Sequence, residues 1–93
     1  PEVDIHIPFT PGMAALIQAK LTPQAAIASM TTGRRFGGDD AAKYGLVEVA
    51  ATEDAVVPAA VDLVIPVAGK DSATMAAIKA TMFGPAVAAL RAE

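Results

Sequence analysis

The sequence predicts an α/β chain, mostly helical with one or two short strands, and three observations lead there. Residues Val3 to Ile7 run Val, Asp, Ile, His, Ile, the period-two alternation of a strand with one buried face. Leu46 to Ala51 is a second short apolar run, bounded by Gly45 and Thr52. Between and after them, apolar residues recur at helical spacing behind cap-and-proline signals. Two such strands cannot make a sheet alone, so the α/β class implies strands from outside these residues.

Taken in order, Pro8 ends the first strand and Pro11-Gly12 opens a helical run from Met13 to Leu21, with Met13, Leu16, Ile17 and Lys20 at helical spacing. Thr22-Pro23 caps a second helix, which carries Ala26, Ile27 and Met30 on one face and stops before Gly33. Gly33 to Gly38 forms a connector, and Asp39 or Asp40 caps a short helix that Gly45 terminates. Thr52 caps a helical turn with Glu53 and Asp54 at its positive end, and Pro58 opens a new helix as its first residue. Pro66 requires a kink or an end. Asp71 caps Ser72 to Phe83, and Gly84-Pro85 breaks that helix before a last amphipathic piece, Ala86 to Arg91.

Composition bounds the function. Apolar residues make 54% of the 93 and charged residues 18%, more apolar surface than so small a domain can hide by itself. Much of it is expected to be buried against something else. The net charge of −3, with Arg34-Arg35 the only adjacent basic pair, argues against a nucleic-acid partner. Without cysteine and with one histidine, the chain offers neither a disulfide framework nor an ordinary metal-ligand set, so no metal is expected. Every long apolar stretch is interrupted by Pro, Gly or charge, and the first residues lack a secretory pattern. The expectation is a soluble, intracellular and cytoplasmic protein with no membrane partner. Opening at Pro1 without an initiator Met, directly in strand-like sequence, further suggests a fragment or cleavage product.

The succession Pro1-Glu2, Pro11-Gly12, Thr32-Gly33-Arg34-Arg35-Phe36, Asp40-Ala41 and Gly45-Leu46-Val47, followed by Lys70-Asp71 to Ala80, resembles the C-terminal portion of the crotonase (enoyl-CoA hydratase/isomerase) superfamily. The likeness runs over nearly the whole chain and is most specific from Thr32 to Val47. It implies the end of a crotonase-type spiral of ββα turns over residues 1–51, then a helical region over 52–93 for trimerisation and active-site cover. The implied partners are an acyl-CoA thioester, an N-terminal portion of the same enzyme and further copies in a homotrimer or hexamer. No cofactor is implied beyond the CoA of the substrate. The two backbone N–H groups that hold the thioester enolate in that family belong to the N-terminal portion.

Glu2 aligns with the family's acid/base glutamate. In an apolar pocket its pKa rises toward neutrality, which lets it take a proton from one carbon and return it to another. Read without the resemblance, it is a solvated surface carboxylate beside a chain end, since such carboxylates greatly outnumber catalytic ones. Asp4 shares its strand face, as a partner in proton work or a solvated edge residue. His6 stands where many family members have Gly, a departure that touches the local backbone path. Arg34-Arg35 can meet a CoA phosphate or pair with Asp39 or Asp40. Lys79 and Phe83, one helical turn apart, are candidate substrate contacts for the CoA adenine; the alternatives are a solvated lysine and a packed phenylalanine.

The Glu-Val-Asp-Ile opening, the Ala-Leu and Ala-Lys pairs of the next helix and the short tail resemble the isomerase branch, which moves a double bond from the 3 to the 2 position through a thioester enolate. Ile7 to Leu21 contains no acid, so a carboxylate from that loop, used by another group of family isomerases, is not available. A hydratase, which needs a second glutamate from the N-terminal portion, is the first alternative. A non-catalytic helical interaction module is the second.

Overall fold

A computed structural model describes all 93 residues. It is entirely helical: α1 (Pro11–Lys20), α2 (Pro23–Thr31), α3 (Gly38–Lys43), α4 (Val56–Val64) and α5 (Ser72–Arg91), with 3-10 turns at Glu53–Ala55 and Ile65–Val67. No strand is present, which corrects the expected α/β class. Alternation alone does not make a strand; the ladder needs a partner, and the chain supplies none. Val3 to Ile7 instead closes its hydrogen bonds locally. The N–H groups of Asp4 and Ile5 donate to Pro1 O at 3.0 and 3.1 Å, and Ile7 N–H donates to Glu2 O at 2.9 Å across His6, whose φ is 62°. This is one helical turn ended by a left-handed residue.

The second expected strand fails for a related reason. Gly45, at φ 76°, ends α3 in a Schellman turn: Gly45 N–H donates to Ala42 O at 3.2 Å and Leu46 N–H to Ala41 O at 2.8 Å. Only after this turn does the chain run on to Ala51, without a ladder.

The helix starts follow their sequence signals. Thr10 and Thr22 hydroxyls each accept at 3.2 Å, from the N–H groups of Met13 and Ala25, with Pro11 and Pro23 as first helical residues. The Asp71 carboxylate accepts from the N–H and hydroxyl of Thr74 at 2.8 and 2.7 Å, which caps α5. Three boundaries differ from expectation. Gly37, not Asp39 or Asp40, is the cap of α3, and both acids lie in its first turn, where the helix dipole favours them. Pro58 is the third residue of α4, still within the turn whose N–H groups have no intrahelical acceptor. Gly84-Pro85 does not break α5, which is continuous through both.

Continuity through Pro85 coincides with packing. α1 runs antiparallel to the C-terminal half of α5: Gly12 N–H donates to Glu93 Oε1 at 2.7 Å at one end, and Lys20 Nζ lies 5.1 Å from the Phe83 ring centroid at the other. The helices cross closely enough at Gly12 that a Cβ there would lie 2.9 Å from Leu90 Cα.

Little else is packed. Five residues of 93 are buried, and the apolar ones are all alanine: Ala25, Ala26, Ala41 and Ala86. The accessible surface is 6989 Å². A compact monomer of 9.4 kDa exposes about 5,000 Å², so roughly 2,000 Å² is in excess. The radius of gyration, 15.7 Å, likewise exceeds the roughly 12 Å of a compact chain this long. α4 is apolar but for Asp62 and meets only its own flanking turns and residues 47–51, leaving Val57 and Val64 70% and 57% exposed. A helix of that composition belongs inside a larger core. α5 is long and apolar enough to cross a membrane, with a mean hydropathy of 1.4 over its best window.

Candidate functional site

The N-terminal turn carries Glu2, Asp4 and His6, and the bend after α2 receives it. Thr31 and Thr32 hydroxyls donate to the Ile27 and Ala28 carbonyls at the end of α2, and Gly33 then turns at φ 68°. Asp4 seats against this bend: a Cβ at Gly33 would lie 2.6 Å from Asp4 Oδ2. Glycine is therefore required twice over at position 33, by backbone conformation and by the approach of Asp4.

Glu2 is half-buried, and its Oε2 lies 3.2 Å from the Pro1 amine. A hydrogen bond from its own backbone N–H, then the bond and charge of that amine, hold its carboxyl below the usual value. In this arrangement Glu2 is an ionised carboxylate, a proton acceptor of low basicity. The apolar surroundings that would raise its pKa are not contributed by the neighbours it has here.

Lys79 and Phe83 do share a face of α5. With Ala80, Gly84, Val87 and Arg91 they line a shallow groove of about 350 Å³. The Phe83 ring is half-buried under Lys20, whereas Lys79 is exposed. No hydrogen bond or ion pair connects either residue to Glu2, whose turn lies against the end of α2 while Phe83 lies against the end of α1. A second groove, of about 370 Å³, lies between Gln18 on α1 and Pro23, Ala26, Ile27 and Met30 on α2.

Arg34 has a setting that the linear sequence shows only in part. It pairs with Asp40 at 3.6 Å, one of the acids expected for it. It also stacks on two rings, with Cζ 4.4 Å from the Tyr44 centroid and 4.7 Å from that of Phe36. The rings meet edge to face at 5.8 Å and 67°. The hydrogen bond to Arg34, then the charges of Arg34 and Lys43, lower the Tyr44 pKa, and the same bond raises that of Arg34. The available sequence signal was the placement of two of the chain's four aromatic residues on either side of the helix that follows Arg34. The cluster ties the connector to α3 and occupies the guanidinium. Arg35 is exposed, in no ion pair.

No group of three or more His, Asp or Glu side chains converges as a metal site would require. The chain matches no family model, no curated protein and no solved structure.

Proposed function

We propose that this chain is the helical C-terminal portion of an acyl-CoA enzyme of the enoyl-CoA hydratase/isomerase type, moving a double bond from the 3 to the 2 position with Glu2 as the acid/base. The observation that carries this is the roughly 2,000 Å² of surface beyond that of a compact monomer. Helices this apolar, in a chain that buries five residues, are components of a larger core, as a C-terminal portion of such an enzyme is. The ordered succession from Thr32 to Val47 supplies the family. Its glycines have physical work in this fold, since Gly33 and Gly45 both turn at positive φ. An N-terminal portion carrying the enolate-binding N–H groups, and further copies in a trimer or hexamer, cover the exposed faces.

Covering Glu2 with apolar side chains displaces water from its carboxylate and raises its pKa. In that state it abstracts a proton from C2, beside the thioester carbonyl; the electron pair left behind is held as the thioester enolate, and the proton is returned to C4 as the double bond moves from the 3 to the 2 position. In the complete enzyme, Glu2→Gln is expected to reduce turnover by about 10² to 10⁴ while acyl-CoA binding survives. The assay follows 3-enoyl-CoA isomerisation and 2-enoyl-CoA hydration together, so that hydratase activity is recognised if it dominates. Rates within about threefold of the parent in both reactions make Glu2 a bystander. The second reading is a helical interaction module without catalysis, and that outcome selects it.

A further inference from the structure

The geometry points to a joint in the turn of α5 that leads into Gly84-Pro85, about which residues 72–82 swing as a rigid arm while residues 83–91 stay docked on α1. Three independent features coincide there. The first is the backbone. Pro85 has no N–H, so the Thr81 carbonyl, four residues earlier, has no helical donor. Thr81 also donates its hydroxyl to Ala77 O at 3.1 Å, a back-bond that further loosens this turn. Gly84 adds the residue of greatest backbone freedom at the same place.

The second feature is where packing stops. From Phe83 onward the helix is held by Lys20 over the Phe83 ring, by buried Ala86, by Leu90 against Gly12 and by Glu93 on the Gly12 N–H. Before Phe83, every residue from Ser72 to Met82 is exposed except Met75, which is half-buried. α1 is the only element outside its own neighbourhood that α5 touches, and its last residue already lies at Phe83. The weakest turn of the helix therefore stands at the boundary between its supported and unsupported parts.

The third feature is that the arm is internally firm. Its free end is closed by Asp71 and Thr74, which satisfy each other and the first turn. A capped arm on a weak turn moves as one piece. Eleven helical residues span about 16 Å, so a 20° bend at the joint displaces the tip by about 6 Å. The arm presents Met75, Ile78 and Met82, the last 61% exposed, and α1 does not reach it.

The chain lacks cysteine, so introduced pairs carry spin labels without background. One pair, Gln18→Cys with Arg91→Cys, spans α1 and the docked half; the other, Gln18→Cys with Ala73→Cys, spans α1 and the arm tip. Distances are measured by double electron–electron resonance in the 93-residue chain, frozen from concentrated sucrose, which favours the packed form. A narrow distribution is expected for the docked pair and one broader by about 6 Å for the arm. Gly84→Ala with Pro85→Ala restores the missing helical bond, and a Cβ at Gly84 meets nothing within 4 Å, so the variant fits the existing structure. It is expected to narrow the arm distribution to that of the docked pair. An arm already as narrow as the docked pair in the parent overturns the joint. So does an arm distribution that the double substitution leaves broad, or a docked pair as broad as the arm.

Discussion

His6 is the one non-glycine residue with positive φ. A left-handed conformation costs an ordinary residue about 1–2 kcal/mol, partly offset for glycine by its greater loss of chain freedom. His6→Gly is thus expected to stabilise the N-terminal turn by about 0.5–1 kcal/mol. The readout is the Ile7 amide, bonded to Glu2 O across His6, whose hydrogen exchange should slow by about two- to fivefold. Tyr44 gives a second test, as the only tyrosine in the chain. Its pKa is depressed by Arg34, so the phenolate–guanidinium contribution is fully present above the unfolded pKa of about 10 and is lost as pH falls through the lower folded value. At neutral pH the phenol is protonated and the ring stacking remains. Ultraviolet titration should place the tyrosinate midpoint below the ordinary value, and Arg34→Met should move it back up. A midpoint unmoved by that substitution dissolves the pair.

At the scale of elements, helix starts were legible because their signals act over three or four residues: Thr10-Pro11, Thr22-Pro23 and Asp71 cap as their chemistry requires. The strands at Val3 to Ile7 and Leu46 to Ala51 were misread, because alternation records a preference that only a neighbouring strand can satisfy. Gly84-Pro85 was misread in the opposite sense, since its local breaking tendency is outweighed where α1 supports the following turns. Which residue makes that support possible is testable. Gly12→Ala places a methyl 2.9 Å from Leu90 Cα, a backbone clash that side-chain rotation cannot relieve. It should destabilise the α1–α5 crossing by about 1–3 kcal/mol, as overpacking does elsewhere. Amide exchange along residues 86–91 should then accelerate toward that of the arm, and exchange unchanged there would mean that α1 contributes nothing to α5.

The whole molecule behaves as a set of helices with one crossing. A compact domain of 93 residues unfolds with an enthalpy of about 65 kcal/mol near its midpoint. This chain alone, with five buried residues, should lose its circular dichroism over a broad range with a van 't Hoff enthalpy well below that. A sharp transition from a monodisperse monomer would defeat the partner-completed assembly. Under the proposed function, light scattering on the complete enzyme should report a trimer or hexamer, and a stable monomer that still turns over acyl-CoA would assign the exposed helices another purpose.

Of the candidate site, the sequence by itself offered Arg34 the acids Asp39 and Asp40 and put Lys79 and Phe83 on one helix face, because charge sign, residue type and helical spacing are properties of a short stretch of chain; Glu2 was singled out by the family resemblance alone. It also determined that the apolar content exceeds what 93 residues can bury, since that depends on composition and length alone. Only the tertiary structure decided that Arg34 lies between Phe36 and Tyr44, that Asp4 closes on Gly33, and that Glu93 reaches the start of α1, 81 positions away. Such contacts depend on which helix faces meet, and with buried side chains no larger than alanine, backbone turns and close glycines decide that more than any hydrophobic pattern does.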